Sequence, residues 1–495
     1  MDFYSTRGEG PVSGARAIIN GIAKDGGLYV PSSFPKITTE DLRDMAELSY
    51  SERAAYVMSL YLTEFTYEEL LEFTSKAYSR FEDNDPAPLV KVDEGTFVME
   101  LWHGPTLAFK DVALTVLPYL LAACKKKEGE QNKTLVLVAT SGDTGKAALE
   151  GFRDVDGTEI AVLYPSQGVS DMQKLQMVTT EGKNVHVYGI NGNFDDAQRA
   201  VKNIFGGESV KKTLADKGYD LSSANSINFG RLLPQIVYYI SAYVDLLSND
   251  FVGDNEEINF IVPSGNFGNI LAGYYAKRMG VPIKQLIVAS NENNVLTEFF
   301  SDGVYDSNRE FVKTISPSMD ILVSSNLERL LYEMGDRDPQ FVKDLMERLS
   351  DGGAYSVDED LLYDKTPEFL AYFSTEEETK EVIDNFYDEY GYVLDPHTAV
   401  AVSALFKYMN EVGDSTTSNV IVSTANPYKF PQSVYEAIAH AEEDDAFKAA
   451  KKLEVFSGET MPESIKNLKE KLVLHPDVID VEEIDSTIAS IGGDL

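Results

Sequence analysis

An amine attacks a carbonyl only when it is unprotonated, and an ordinary lysine, with a pKa of about 10.4, is almost entirely ammonium at neutral pH. In Trp102-His103-Gly104-Pro105-Thr106-Leu107-Ala108-Phe109-Lys110-Asp111 the one lysine stands between a bulky aromatic residue and a helix start. Burial behind Phe109, Leu107 and Trp102 would lower its pKa and make Lys110 a nucleophile able to form a Schiff base. Taken alone, the same residues also fit an ordinary surface lysine ahead of a helix.

Two further stretches could hold an anion. Thr140-Ser141-Gly142-Asp143-Thr144-Gly145 follows an apolar run ending at Val138-Ala139, and Pro263-Ser264-Gly265-Asn266-Phe267-Gly268-Asn269 follows Ile261-Val262. Each sets glycines and small polar residues between a buried strand and a helix. Backbone N–H groups converge there at the positive end of the helix dipole and can cradle a phosphate. Either stretch could equally be a tight turn. The first departs from the P-loop pattern Gly-x-x-x-x-Gly-Lys-Ser/Thr, because Thr140 stands at the first glycine position and Ala147 follows Lys146. No Gly-x-Gly-x-x-Gly follows a strand, and no Gly-x-Ser-x-Gly elbow occurs. The five histidines (His103, His186, His397, His440 and His475) have no Cys or His partner at metal-ligand spacing, so no metal is expected.

The elements that must position these groups follow from length and periodicity. At 495 residues, with 43% hydrophobic and 11% aromatic content, the chain has enough apolar material for two to four buried cores. A net charge of −38 repels nucleic acid and anionic membranes, which are not expected as partners; an anionic small molecule needs a local cationic or amide-lined pocket. Cys124, the single cysteine, excludes an internal disulfide, reads as a small core residue and agrees with a reducing cytoplasm. The first residues carry no basic start followed by an apolar core, and no apolar run approaches the ~18 residues of a membrane span. The expectation is a cytoplasmic protein, monomeric or homodimeric.

Thr38 to about Phe81 is helical in pattern, with Thr38 or Thr39 and then Ser51 as caps, and Ala54, Val57, Met58 and Tyr61 on one face. Before it, Asp25-Gly26-Gly27-Leu28-Tyr29-Val30-Pro31 predicts a turn into a short extended segment, and Asp83-Asn84-Asp85-Pro86-Ala87-Pro88 breaks the helix. Beyond it, Thr134 to Ala139, Ile160 to Tyr164, Val185 to Ile190, Ile258 to Val262, Leu286 to Ala289 and Val420 to Val422 read mostly as buried parallel strands, with helices such as Asp111 to Lys127 between. Such α/β sheets bind ligands at the carboxyl ends of their strands.

The lysine stretch, the Ser-Gly-Asp-Thr-Gly turn and the Ser-Gly-Asn-Phe-Gly-Asn turn, in that order, resemble the threonine synthases, a branch of the fold type II (tryptophan synthase β-like) pyridoxal 5′-phosphate enzymes. The likeness extends to the segment at 25–31, to Ser223-Ala224-Asn225-Ser226-Ile227-Asn228 with Arg231, to Asp395-Pro396-His397-Thr398-Ala399-Val400-Ala401, and to Ser423-Thr424-Ala425-Asn426-Pro427-Tyr428-Lys429-Phe430. The resemblance implies two open twisted α/β domains with a small N-terminal helical domain. The expected limits are 1–95 for the helical domain, 96–130 and 240–495 for the cofactor domain with a peripheral C-terminal extension, and 131–239 for the inserted smaller domain.

It further implies that Lys110 binds pyridoxal phosphate covalently and then serves as the travelling base. Phe109 would lie beside the cofactor, the amides of Gly265, Asn266, Phe267, Gly268 and Asn269 would bind its phosphate, and Thr424 would bond its pyridine nitrogen. Asp143 would lie near the cofactor's 3′-oxygen with its protonation state open. Ser141 and Thr144 would take a substrate carboxylate, and Arg231, Lys174, Asn225 and Ser226 are candidates for the substrate phosphate. The implied reaction, the last step of threonine biosynthesis, turns O-phospho-L-homoserine and water into L-threonine and phosphate. A threonine or serine dehydratase of the same fold is the alternative.

Overall fold

Each apolar run expected to be a buried strand is one: Lys133–Ala139, Thr158–Pro165, Val185–Asn191, Ile258–Pro263, Ile283–Ser290 and Ser418–Ser423. The structure is a computed structural model that describes residues 1–140, 142–167 and 169–492. Ile258–Pro263 and Ser418–Ser423 are buried at every position, as strands covered by helices on both faces must be.

The strands sort into two sheets. The larger has six, in the order Phe369–Phe373, Ile283–Ser290, Ile258–Pro263, Ser418–Ser423, Thr96–Glu100, Leu89–Asp93, and only the last pair is antiparallel. The smaller is parallel throughout, in the order Val478–Asp480, Val185–Asn191, Thr158–Pro165, Lys133–Ala139, Tyr219–Ser222. Two open parallel sheets with crossover helices make this the expected α/β architecture. The chain returns to the smaller sheet at its end. Val478–Asp480, within the segment read as a peripheral extension, pairs with Val185–Asn191, and the helix Ile484–Ser490 packs on the helices Ser209–Asp216 and Phe194–Gly206.

The N-terminal region holds the expected helices Thr39–Asp44, Tyr50–Tyr61 and Tyr67–Tyr78. Ala54, Val57, Met58 and Tyr61 are all fully buried. Besides the helices there is a three-stranded antiparallel sheet of Asp2–Ser5, Val12–Ser13 and Tyr29–Pro31. Thr38 caps the first helix as expected. The second is capped by Ser49 rather than Ser51, because Ser49 has Glu52 three residues on and the two close a reciprocal capping box. The single helix expected over Asp111 to Lys127 is two, Lys110–Leu114 and Leu117–Lys127. Pro118 has no N–H to bond a carbonyl of the preceding turn, so a new helix starts there.

Phe229–Ser248, almost wholly buried, runs between the N-terminal helices, Lys110–Leu114 and Gly268–Met279. It thereby fixes the lysine helix against the helix that follows the second glycine turn. Cys124 is fully buried, as expected of a core residue. Among the described residues no helix is long and apolar enough to cross a membrane, and no three His, Cys, Asp or Glu side chains cluster to hold a metal.

Candidate active site

Lys110 begins a helix just past the carboxyl end of Thr96–Glu100, and two latches set its place. Asp111, fully buried, accepts from Thr106 N (2.7 Å) and Thr106 Oγ1 (2.6 Å), closing the turn ahead of the lysine. Desolvation raises the Asp111 carboxyl to about 6, against those two hydrogen bonds. The second latch ties this turn to the loop after Ser418–Ser423. Phe109 N donates to Thr424 O (2.9 Å) and Asn426 N to Leu107 O (3.0 Å), with Ala108 and Ala425 in an antiparallel bridge. Leu107 accepts a left-handed backbone, φ 61°, to make this approach, at a cost of about 1–2 kcal/mol.

The amine so placed is activated as the sequence predicts. Desolvation pushes the Lys110 ammonium down to about 8, Lys429 and Arg231 push in the same direction, and Asp143 and Asp111 oppose them. The Nζ lies 5.5 Å from the Phe109 ring centroid and donates to Ser318 Oγ at 3.1 Å.

The loop after Ile258–Pro263 is built as an anion cradle. The helix Gly268–Met279 starts on it with Phe267 in a left-handed conformation (φ 60°) and no side-chain cap. Among the described residues none of the amides of Gly265, Asn266, Phe267, Gly268 and Asn269 has a protein acceptor. Phe267, Gly268 and Asn269 are buried, Gly265 is half-buried and Asn266 exposed; buried N–H groups at a helix start are rarely left without a ligand or water to take them. Asn269 adds a buried Nδ2 without a partner, while its Oδ1 accepts from Tyr238 (2.5 Å) and Tyr239 (2.8 Å). Gly265 is closely approached, since a Cβ there would stand 3.0 Å from Ser318 O and 3.3 Å from Met319 Cα.

The turn after Lys133–Ala139 has another character. Thr140 Oγ1 accepts from Gly142 N and Gly145 N, both at 3.0 Å, so the turn is closed on itself. Asp143 opens the helix Asp143–Phe152 and forms an ion pair with Lys429 Nζ at 3.1 Å, with both side chains buried. Burial alone would raise the Asp143 carboxyl, but Lys429 and then Lys110 outweigh it and hold it at about 2, so it is ionised at neutral pH. Lys429 also donates to Thr106 O (2.8 Å), linking this pair to the lysine turn.

Thr424 is buried, and its hydroxyl has no hydrogen-bond partner among the described residues. Arg231, on the first turn of Phe229–Ser248, is buried without a carboxylate partner there. Nη1 donates to Ala224 O at 2.8 Å, Nε has no partner, and desolvation lowers the guanidinium to about 10. A buried unneutralised guanidinium is a site for an anion.

The fold thus gathers Lys110, Phe109, Asp143, Thr424 and the 265–269 loop at the carboxyl ends of strands from both sheets, with Arg231 within electrostatic reach of the lysine. Thr144 is half-buried on the same helix turn as Asp143. Ser141 lies outside the described residues. Lys174 is half-buried in Asp171–Val178, Asn225 is exposed and Ser226 half-buried. No side-chain hydrogen bond or ion pair joins these three to Lys110 among the described residues.

Sequence reasoning quoted Lys429 and His397 inside motifs without giving either a role, and did not single out Ser318. A cation inside the segment at 423–430 was the available signal for Lys429, but its partner Asp143 lies on another sheet. Nothing local marks Ser318.

Residues 2–78 match the family Threonine synthase N terminus, 82–424 the family Pyridoxal-phosphate dependent enzyme, and 398–479 the family Threonine synthase, C-terminal. The chain is 40% identical to Threonine synthase-like 1 of Homo sapiens over 86% of this chain, and it spans 58% of that longer protein. To threonine synthase of Schizosaccharomyces pombe it is 37% identical, over 89% of this chain and 90% of that one. Its structure superposes on a pyridoxal-phosphate-bound threonine synthase of Brucella melitensis with a TM-score of 0.88, at 37% identity over 99% of both chains.

Proposed function

Since this chain belongs to the threonine synthase family of pyridoxal-phosphate-dependent enzymes, we propose that it converts O-phospho-L-homoserine and water to L-threonine and phosphate. One observation carries the reading: a loop of acceptor-free amides at 265–269 and an amine with its pKa near 8 both abut Ser318.

The donor set fits the cofactor. Gly265 to Asn269 offer five free amides for its phosphate, Lys110 an amine for its aldehyde, Thr424 a free hydroxyl for its pyridine nitrogen, and Asp143 with Lys429 a charge pair for its 3′-oxygen. When bound, pyridoxal phosphate supplies an electron-withdrawing ring that stabilises negative charge on a substrate carbon. Lys110, half unprotonated near pH 8, takes a proton from that carbon and returns one later. Thr424, a neutral hydroxyl, leaves the ring nitrogen without a carboxylate to hold a proton on it. Asp143, kept ionised by Lys429, favours a proton or cation across from it.

The substrate brings a phosphate of its own, and Arg231 is the buried cation left to meet it. Thr144 and Ser141 are the groups for its carboxylate. We take 131–239 as a smaller domain that closes on the larger one, with the Asp143–Lys429 pair as a contact that already joins them.

Purified protein supplemented with the cofactor is expected to gain a visible absorption band and to release phosphate from O-phosphohomoserine. Folded protein that does neither overturns the reading, and phosphate-independent formation of a keto acid from threonine or serine would replace it with a dehydratase.

A further inference from the structure

Among the described residues the amine of Lys110 has one hydrogen-bonded partner, the hydroxyl of Ser318 at 3.1 Å. Three separate anchors hold that hydroxyl in place. The Ser318 N–H donates to His397 Nε2 at 3.2 Å, and His397 Nδ1 faces Asp395 Oδ1 at 2.8 Å. An imidazole that accepts at Nε2 carries its proton on Nδ1, and Asp395, the N-cap of Pro396–Val412, fixes that tautomer. Two residues on, the Asp320 carboxylate accepts from Thr314 N (3.0 Å), Thr314 Oγ1 (2.7 Å), Asn291 Nδ2 (2.8 Å) and Asn293 Nδ2 (3.1 Å). On the other side the Ser318 carbonyl lies against Gly265, where a Cβ would stand only 3.0 Å away. Loops are ordinarily the mobile parts of a fold, yet this one is pinned to the helix Pro396–Val412, to the residues just past Ile283–Ser290 and to the 265–269 loop.

We propose that Ser318 is a second catalytic residue, whose hydroxyl accepts a hydrogen bond from the Lys110 ammonium and so fixes where the free amine points and how firmly it holds its proton. The inference rests on Lys110 being the reacting amine. An oxygen that accepts from an ammonium favours the charged form. It works against desolvation, Lys429 and Arg231, and with Asp143 and Asp111, the charged groups that act on this amine. His397 and Asp395 are then positioning residues, acting through the Ser318 backbone.

The test follows acylation of Lys110 by acetic anhydride, whose acetyl group passes to the unprotonated amine with loss of acetate, in the 495-residue chain without added cofactor, read by peptide mass spectrometry between about pH 6 and pH 10. Ser318→Ala is expected to lower the midpoint of reactivity by about one pH unit, and Ser318→Thr, which keeps the hydroxyl, to leave it in place. With cofactor and substrate, Ser318→Ala is expected to lower kcat by about 10–100-fold with KM nearly unchanged, and Ser318→Thr to recover most of the loss. An alanine variant whose midpoint equals that of the parent protein overturns the proposal, as does a threonine variant that shifts as far as alanine. Should alanine fail to fold, Ser318→Cys, a much weaker acceptor, is read by the same criteria. Acylation involves no substrate, so a parent chain that fails to release phosphate counts against the proposed reaction and leaves the Ser318 result readable.

Discussion

The two strand-to-helix turns that face Lys110 have opposite chemistry. After Ile258–Pro263, the amides of residues 265–269 have no protein acceptor, and the helix behind them starts without a cap. After Lys133–Ala139, Thr140 takes two of the amides, and Asp143 brings a carboxylate that Lys429 holds ionised. The first turn leaves its donors free of protein acceptors among the described residues. The second has two amides closed on Thr140 and carries an anion of its own, which Lys429 balances. A helix N-terminus offers donors by geometry, but binding depends on whether those donors are still free.

The widest test of the contrast removes the group both turns serve. Lys110→Ala is expected to lower kcat by at least about 10³-fold while the unfolding transition in urea stays where it was. Retained turnover would remove the lysine from the chemistry and the comparison with it.

Next comes the charge pair that distinguishes the second turn. Lys429→Met leaves a buried carboxylate without its cation, an expected loss of about 3 kcal/mol in urea unfolding at neutral pH. The double change Lys429→Met with Asp143→Asn should regain most of it. A double variant no more stable than the single one would show that the pair does not hold the turn. The pH dependence follows with its sign. The folded carboxyl, at about 2, lies below its ordinary 3.8, so Asp143 stabilises the fold fully above about pH 4 and loses that contribution as pH falls toward 2. Lys429→Met should flatten this part of the acid limb.

Two smaller changes address the amides themselves. Gly265→Ala pushes a methyl toward Ser318 O and should weaken cofactor binding about tenfold, measured by titrating the cofactor-free protein. Thr140→Val removes the acceptor of two amides and should cost about 1 kcal/mol of stability with cofactor affinity unchanged. If Thr140→Val weakened the cofactor as much as Gly265→Ala, the two turns would not differ in the way described.

Amino-acid order alone determined the strands and the place of Lys110 at a helix start. Apolar runs without alternation can only be buried strands, and Phe109-Lys110-Asp111 places an amine between an aromatic residue and a helix start. Ser49 with Glu52 and Pro118 were equally readable, being local rules of capping and proline sterics. What remained hidden were the contacts between distant segments. The ionisation of Asp143 depends on Lys429, which reaches it from the other sheet. The freedom of the 265–269 amides depends on no neighbouring carboxylate or hydroxyl having turned toward them. Ser318 meets Lys110 because His397, oriented by Asp395, the hydrogen bonds of Asp320 and the contact with Gly265 hold its loop. Desolvation and charge pairing act over a few ångströms in space, whatever the separation along the chain, so only the tertiary structure could decide them.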